Sequence, residues 1–264
     1  MFDAHLHLRD ARIEPYHRRF VKDAMEAGVT ACIDCASRPE EWAVEVDCAL
    51  EAIPAYGLHP WHAALACPDW ATFLECALNR NPAALVGEIG LDGIRKVFDG
   101  GAAQRLALRT QLALAARLGR PVVLHGARAW GPLLREVEPW AGRIPAWMLH
   151  GVSFSPELLT HPFLRRRDVW FSVGGGLLSR GAQALPRLAV ELPLDRLLIE
   201  TDAPDMFPRG GEPLVLGQWH ALLNQPGNLR LVLEALATLR GLPFAELDEQ
   251  TEANARAFLA ARTM

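Results

Sequence analysis

Eight short apolar segments that alternate with helix-like segments most constrain how this 264-residue chain can fold. Near-continuous apolar strands separated by helices are typical of parallel strands that are covered by helices on the outside. Eight such units in a chain of this length predict a single-domain α/β fold, a TIM (β/α)₈ barrel that spans residues 1–264 without a dividing linker. The predicted strands lie at residues 1–8, 29–36, 52–59, 83–90, 121–126, 145–151, 168–175 and 196–202.

Helical patterns occupy most of the chain between and after these strands. They lie at residues 15–27, 39–50, 69–80, 102–118, 129–138, 155–164 and 179–190, with two more at 228–241 and 244–264. The longest stretch without a regular pattern is 203–228, which is rich in Gly and Pro. Loops of this length in a compact domain are usually functional, and this one follows the last predicted strand. We therefore expect it at the mouth of the barrel.

Charge and composition limit the classes of function. The net charge of −4 and the pI near 6.1 argue against a protein that coats duplex DNA, although metal ions and a few arginines could hold a nucleic acid locally. The N-terminus lacks the pattern of a signal peptide, and no stretch approaches the roughly 18 apolar residues of a membrane span. Five cysteines without framework spacing are typical of free thiols in a reducing compartment. We therefore expect a cytoplasmic protein with no membrane association.

Residues able to bind metal ions end six of the predicted strands. In "DAHLHL" the two histidines lie two residues apart, so they share one face of a strand. The other strand ends add further imidazoles and carboxylates, and the full set is His5, His7, His59, Glu88, His125, His150 and Asp202. Histidines that only packed in the core would scatter between both strand ends. Because the active site of such a barrel lies at the C-terminal ends of the strands, this pattern predicts a metal site there.

Several motifs, taken in order, resemble those of one family. The motifs "DAHLHL", "GLHPW", "GEIGLD", "VVLHG", "MLHG" and "ETDAP", with "PGNLRLVLEAL" and "TEANARAFL", resemble the TatD-like metal-dependent hydrolases and deoxyribonucleases of the amidohydrolase superfamily. The resemblance covers essentially the whole chain, and it implies two divalent metal ions. The ligands that it implies are His5, His7 and Asp202 for one ion, His125 and His150 for the other, and Glu88 as the bridge.

The chemistry of such a site agrees with phosphodiester hydrolysis. Two ions about 3.5–4 Å apart lower the pKa of a shared water and clamp the attacking and leaving oxygens. Asp202 is the natural proton acceptor from that water, and with Glu88 it forms the predicted catalytic pair. Asp3 and Asp92 are expected to orient a ligand imidazole or the bridging carboxylate. The donors accommodate Zn²⁺, Mn²⁺, Fe²⁺, Co²⁺ or Ni²⁺, whereas Mg²⁺ prefers more oxygen ligands.

Two positions depart from the family pattern. "HGARAW" places Arg128 one residue later than the arginine of the usual His-x-Arg, and Arg128 is a candidate for contact with a substrate phosphate. "GLDGIRK" has Gly93 where the family usually has an aromatic residue, which leaves Trp61 and Trp130 as alternative surfaces for stacking bases. His59, in "GLHPWH", is a candidate for contact with the substrate or for positioning its own loop.

The leading hypothesis is a monomeric two-metal hydrolase of phosphodiester bonds that acts on the ends of single-stranded DNA. Two alternatives stay open: a metal-dependent hydrolase of small amides, esters or lactones, and a catalytically idle barrel that serves as a binding module. The intact ligand set argues against the idle barrel. A superfamily branch bridged by a carbamylated lysine is disfavoured, because Lys22 and Lys96, the chain's two lysines, do not end a predicted strand.

Overall fold

The computed structural model describes residues 1–94, 101–179, 184–214 and 222–261. Eight parallel strands pair in sequence order from the first to the eighth. Their bounds are β1 Phe2–Leu6, β2 Ala31–Ala36, β3 Glu51–Tyr56, β4 Leu85–Gly90, β5 Val122–His125, β6 Trp147–Leu149, β7 Val169–Val173 and β8 Leu197–Ile199. All eight coincide with predicted strands, so the predicted TIM barrel is confirmed.

Helices cover the outside of the strands. Their bounds are α1 His17–Glu26, α2 Pro39–Trp42, α3 Trp70–Arg80, α4 Ala102–Leu118, α5 Trp130–Val137, α6 Ala184–Glu191, α7 Leu229–Arg240 and α8 Phe244–Ala260. Within the described ranges, no helix is both long and apolar enough to cross a membrane. Inside the barrel, side chains of alternate strand residues such as Ile33, Val123 and Met148 pack into one buried cluster. Phe258 of α8 joins this cluster with its ring centroid 5.6 Å from that of Trp170.

The helix predicted at 39–50 is shorter than expected. Only Pro39–Trp42 is helical, and residues 43–50 are irregular. Val44 and Val46 are β-branched, which lowers helix propensity. The carbonyl of Val44 also accepts a hydrogen bond from Arg9 Nε at 2.9 Å, a partner from outside the segment.

The predicted helix at 155–164 is also wrong in detail. The structure has two short 3₁₀ helices there, Pro156–Thr160 and Pro162–Arg165. Pro162 has no backbone N–H and cannot continue a helix through its own position, so the chain starts a second turn instead. The helix predicted at 179–190 is present as α6, although residues 180–183 lie outside the described ranges.

The barrel closes between β8 and β1 at the C-terminal ends of both strands. The backbone N–H of Asp202 donates to the carbonyl of His5 at 2.9 Å, and the N–H of His7 donates to the carbonyl of Ala203 at 2.8 Å. These two hydrogen bonds join the first strand to the segment that follows the last. The barrel closure therefore places His5 and His7 beside Asp202.

Candidate metal centre

Glu88 lies at the centre of a cluster of imidazoles and carboxylates at the C-terminal mouth of the barrel. Its Oε1 is 2.5 Å from His125 Nδ1 and 2.6 Å from His150 Nε2. Its Oε2 is 3.3 Å from His5 Nε2 and 4.0 Å from His7 Nε2. One oxygen of this buried carboxylate therefore faces the ends of β5 and β6, and the other faces the end of β1.

Asp202 completes the cluster on the side of β1. Its Oδ1 is 3.2 Å from His7 Nε2 and 3.5 Å from His5 Nε2. The side chain of Asp202 is 18% exposed, against 4% for Glu88. Its φ of +56° lies in the left-handed region, which Asp tolerates better than most residues. Asp202 is therefore the more accessible of the two carboxylates to a molecule in the mouth.

The charges of the cluster shift the pKa values of its members in different directions. Burial alone raises the pKa of Glu88, but the charges of the surrounding imidazoles, His150 first among them, hold it well below its usual range. Burial alone lowers the pKa of His7, yet its hydrogen bond to Asp202 and the nearby carboxylate charges raise it to about 10. Burial lowers the pKa of His59 to about 4. The carboxylates are therefore ionised and His59 is neutral, as metal binding requires, whereas a cation at this site would have to displace the proton of His7.

The donor atoms fit a metal ion. Within each of three overlapping groups, the donor atoms all lie within 4.8 Å of one another. The groups are His5, His150 and Asp202; His5, His7 and Glu88; and His59, Glu88 and His125. The buried Nε2 of His5 has no hydrogen-bond partner in the described part of the chain, although it faces two carboxylates. An orphaned buried imidazole nitrogen is costly, and a divalent cation would satisfy it.

Polar groups around the cluster fix the orientation of two imidazoles. The Nδ1 of His7 lies 2.7 Å from the carbonyl of Cys35, which directs its Nε2 towards Asp202. The Nε2 of His125 lies 3.1 Å from Asp92 Oδ2, which directs its Nδ1 towards Glu88. Asp92 therefore contacts an imidazole of the cluster.

Asp3 contacts different groups from those expected. Among the described residues, its hydrogen bonds join it to backbone and to a hydroxyl rather than to an imidazole or to Glu88. Its Oδ1 accepts from the backbone N–H of His5 at 3.2 Å and of Thr201 at 3.0 Å, and its Oδ2 is 2.6 Å from the Thr201 hydroxyl. Burial raises the pKa of Asp3 to about 7. Asp3 lies one step deeper in β1 than His5, so it ties β1 to β8 below the cluster.

Glu200 was missed in the sequence analysis. It is buried, and its Oε1 lies 3.4 Å from His150 Nδ1. A carboxylate on the far nitrogen of a ligand imidazole fixes the orientation of that ring. The glycines Gly151 and Gly174 leave room for it, because a Cβ at either position would lie 3.3 Å from Oε1. The signal was available, because Glu200 precedes Asp202 by two residues and strand periodicity predicts a shared face.

The two candidate substrate contacts lie in different surroundings. His59 belongs to the cluster, with Nε2 3.5 Å from Glu88 Oε1, while its Nδ1 accepts the backbone N–H of Trp61 at 3.1 Å. Arg128 is exposed in the loop after β5, with φ of +48°. Its side chain makes no hydrogen bond or ion pair with any residue in the described ranges. It is thus outside the cluster, and its contact with a phosphate stays a prediction.

The structure distinguishes the two tryptophans that were candidates for stacking. Trp130 is buried, and its ring packs edge-on against Phe154 with a centroid separation of 5.3 Å. Trp61 is 38% exposed. At Gly93, a Cβ would lie only 2.9 Å from the carbonyl oxygen of Arg128, so the loop after β4 approaches the loop after β5 too closely for an aromatic residue there.

A TIM barrel whose C-terminal mouth holds a buried cluster of imidazoles around one carboxylate has the arrangement of a metal-dependent hydrolase. Comparison with known proteins gives the particular family. The chain belongs to the TatD related DNase family, whose model matches residues 2–260. The resemblance found in the sequence is thereby confirmed.

Individual relatives agree with this assignment. The chain is 31% identical to a protein of Pantoea ananatis named 3'-5' ssDNA/RNA exonuclease TatD, over 97% of this chain and 98% of that protein. A protein of the same name from Erwinia tasmaniensis is also 31% identical, with the same coverage. Among solved structures, a TatD homologue from Escherichia coli K12 superposes with a TM-score of 0.86 at 28% identity, over 98% of this chain and 97% of that one.

Proposed function

We propose that this chain is an exonuclease that hydrolyses phosphodiester bonds at the 3' ends of single-stranded DNA, with RNA ends as a second substrate. The observation that carries the proposal is the position of Glu88, whose two oxygens face separate sets of imidazoles. The names of the relatives from Pantoea ananatis and Erwinia tasmaniensis support the choice of substrate.

We infer that two divalent ions bind at this cluster. Glu88 Oε2 would hold one ion together with His5, His7 and Asp202, and Glu88 Oε1 would hold the other together with His125 and His150. Zn²⁺, Mn²⁺, Fe²⁺, Co²⁺ or Ni²⁺ suits these donors better than Mg²⁺ does. When bound, such ions lower the pKa of a water molecule and stabilise charge on a phosphoryl group.

The side chains of the cluster have separate tasks in this proposal. Asp202 accepts the proton of the attacking water, because it is the more accessible carboxylate, and the surrounding imidazoles, which lower its pKa despite its burial, keep it ionised. Glu88 positions the imidazoles around it. The Nδ1 of His59 accepts the Trp61 N–H, so the neutral ring carries its proton on Nε2 and can donate it to a substrate oxygen.

We further propose that residues 1–264 act as one domain and as a monomer in the cytoplasm. The free state of all five cysteines is consistent with a reducing compartment.

The proposal is tested with single-stranded oligonucleotides that carry a label at the 5' end. We expect a ladder of products that shorten one nucleotide at a time from the 3' end, loss of activity in chelator, and recovery with Mn²⁺. A circular single strand of the same sequence should stay intact. Glu88→Gln should lose activity, whereas the exposed Glu246→Gln on α8 controls for the same chemical change and should not.

Two results would contradict the proposal. Equal cleavage of the circular and linear strands would exclude action at ends. Hydrolysis of a panel of small esters, amides and lactones without cleavage of any oligonucleotide would favour the small-molecule hydrolase instead.

A further inference from the structure

Trp61 lies at the barrel mouth, and two hydrogen bonds fix its position. Its backbone N–H donates to His59 Nδ1 at 3.1 Å, and its indole Nε1–H donates to Asp92 Oδ2 at 2.6 Å. The same Oδ2 lies 3.1 Å from His125 Nε2. One carboxylate therefore separates the indole from an imidazole of the cluster.

The side chain of Trp61 is partly exposed to solvent although its position is fixed. Trp61 is 38% exposed, and no other tryptophan in the described part of the chain reaches that exposure. The rings of His59 and Trp61 meet edge to face, with centroids 4.9 Å apart. A side chain this large is normally buried in a core or held flexibly at the surface, so a fixed and partly exposed indole beside the cluster needs an explanation.

A second exposed apolar residue shares the same carboxylate. The Oδ1 of Asp92 accepts the backbone N–H of Ile94 at 2.6 Å, and the side chain of Ile94 is 58% exposed. Leu65, in the loop that carries Trp61, is also exposed. The loops after β3 and β4 therefore present apolar surface at the mouth, and Asp92 joins the two loops.

Of the arginines in the described ranges near the mouth, Arg12 is already paired. Arg12 donates two hydrogen bonds to Asp205, at 2.8 and 2.6 Å, and further ones to Asp10. This leaves Arg128 as an exposed arginine near the cluster whose side chain has no partner in the ranges that the structure describes. A strand of nucleotides held by few phosphate contacts needs other contacts, and aromatic rings that stack on bases are the usual ones.

We propose that Trp61 is the platform on which the terminal base of the strand stacks, so that the enzyme recognises a nucleobase of any kind at the end that it cleaves. The inference rests on the proposed exonuclease function and adds that the site recognises the terminal nucleobase of the strand. Every base has a π-face, so the platform tolerates all four bases. Asp92 fixes the indole relative to His125, which sets the distance between the stacked base and the cluster.

The test combines changes in the protein and in the substrate. Wild type, Trp61→Ala and Trp61→Phe are compared on two oligonucleotides that differ only in whether the 3'-terminal nucleotide carries its base or is abasic. We expect wild type to lose about 10-fold in kcat/KM on the abasic end, in line with the stacking of one base. On the normal end, kcat/KM of Trp61→Ala should be lower than that of wild type by a similar factor. On the abasic end, kcat/KM of Trp61→Ala should fall no further. Trp61→Phe should retain most of the preference for a base.

A matched control uses Trp140, which lies between α5 and β6 at the opposite end of the barrel, against the guanidinium of Arg143. Trp140→Ala should leave the preference for a base unchanged. The inference is overturned if Trp61→Ala still prefers the normal end as strongly as wild type does. It is also overturned if Trp61→Phe falls as far as Trp61→Ala, because the hydrogen bond to Asp92 would then matter rather than the ring.

Equilibrium binding separates this inference from the exonuclease proposal. The same two oligonucleotides, labelled at the 5' end, are titrated with each variant in chelator, and binding is followed by fluorescence anisotropy. Tighter binding of the normal end by wild type, lost in Trp61→Ala, supports the platform even if no strand is cleaved. Equal binding of both oligonucleotides by wild type overturns the platform even if the strand is cleaved.

Discussion

Gly90 ends β4 at the point where that strand passes closest to β5. A Cβ at this position would lie 1.9 Å from the carbonyl oxygen of His125 and 2.9 Å from its backbone nitrogen. That oxygen accepts the backbone N–H of Leu91 at 3.0 Å, so it cannot turn away without losing a hydrogen bond. Gly90→Ala must therefore push the ends of β4 and β5 apart.

The size of the movement follows from these distances. Real Cβ atoms essentially never come within 3.0 Å of another heavy atom, so the two strand ends must separate by at least about 1 Å. Glu88 and His125, which lie on these two ends, are now 2.5 Å apart between Oε1 and Nδ1. A misplacement of about 1 Å in a catalytic site costs about 10²-fold in rate. We expect kcat/KM for Gly90→Ala to fall by at least that factor, with about 1–3 kcal/mol lost from the free energy of unfolding.

Gly142→Ala is the matched control. Gly142 has φ of +81°, and a Cβ there would meet nothing within 4 Å, so the change adds backbone strain of about 1–2 kcal/mol without a clash. Urea denaturation and oligonucleotide hydrolysis at saturating metal are measured for both variants. Gly142→Ala should lose stability and keep its rate. A folded Gly90→Ala with wild-type kcat/KM would refute the reasoning, because the distance between Glu88 and His125 would then have no role in the rate.

Three further predictions concern single side chains. Asp202→Asn should slow hydrolysis by about 10²–10⁴-fold without recovery at high Mn²⁺, whereas Glu88→Gln should recover much of its activity. The two variants are compared by measuring turnover at increasing metal concentration. Full recovery of Asp202→Asn would show that Asp202 serves only as a metal ligand. Burial raises the pKa of Asp3 from 3.8 to about 7, so the free energy of unfolding should decrease as pH rises between these values, by up to about 4 kcal/mol. Asp3→Asn should flatten that decrease in urea titrations done in chelator, and an unchanged slope would contradict the assignment. Arg128→Ala should lower the slope of log affinity against log salt by about 0.7 for a single strand, and an unchanged slope would exclude a phosphate contact.

The sequence was sufficient for the barrel and for the rim on which the site lies. Each apolar run of the pattern is one parallel strand, and parallel strands of a barrel all end at the same rim. Glu88 and His125 could therefore be assigned to one mouth although 37 residues separate them. Their contact depends on the register of β4 and β5, which pairs Gly90 with His125 and which no local pattern specifies.

Depth along a strand was harder to predict than the face of the strand. The two-residue period groups Asp3 with His5, but it does not say that Asp3 contacts the backbone of Thr201, two residues after the end of β8. Glu200 was missed for the opposite reason, since it shares a face with Asp202 but lies among apolar residues of the last strand. Both side chains lie below the rim, where contacts between β1, the end of β6 and the segment after β8 decide the partners.

The irregular segments show a different limit. Residues 203–228 were predicted to lie at the mouth, and the described part of this segment begins there, since the carbonyl of Ala203 accepts the N–H of His7. Asn224 then returns to the barrel, with Nδ2 2.9 Å from the carbonyl of Thr201. Residues 215–221 lie outside the described ranges. Composition predicts where such a segment starts, whereas its path depends on single side-chain contacts such as that of Asn224.

Closing the barrel and assembling the cluster are the same structural event. His5 lies on the first strand, His7 directly follows it and Asp202 follows the last strand, so they meet only when β8 joins β1. Asp3 strengthens the contact between β1 and the segment after β8, below the cluster, by accepting hydrogen bonds from the backbone N–H groups of His5 and Thr201. A partly open barrel therefore retains Glu88 with His125 but loses the β1 side of the cluster. A cation that binds between Asp202 and β1 binds only the closed barrel. Because a ligand stabilises the form to which it binds, such a cation also stabilises the fold of the whole barrel.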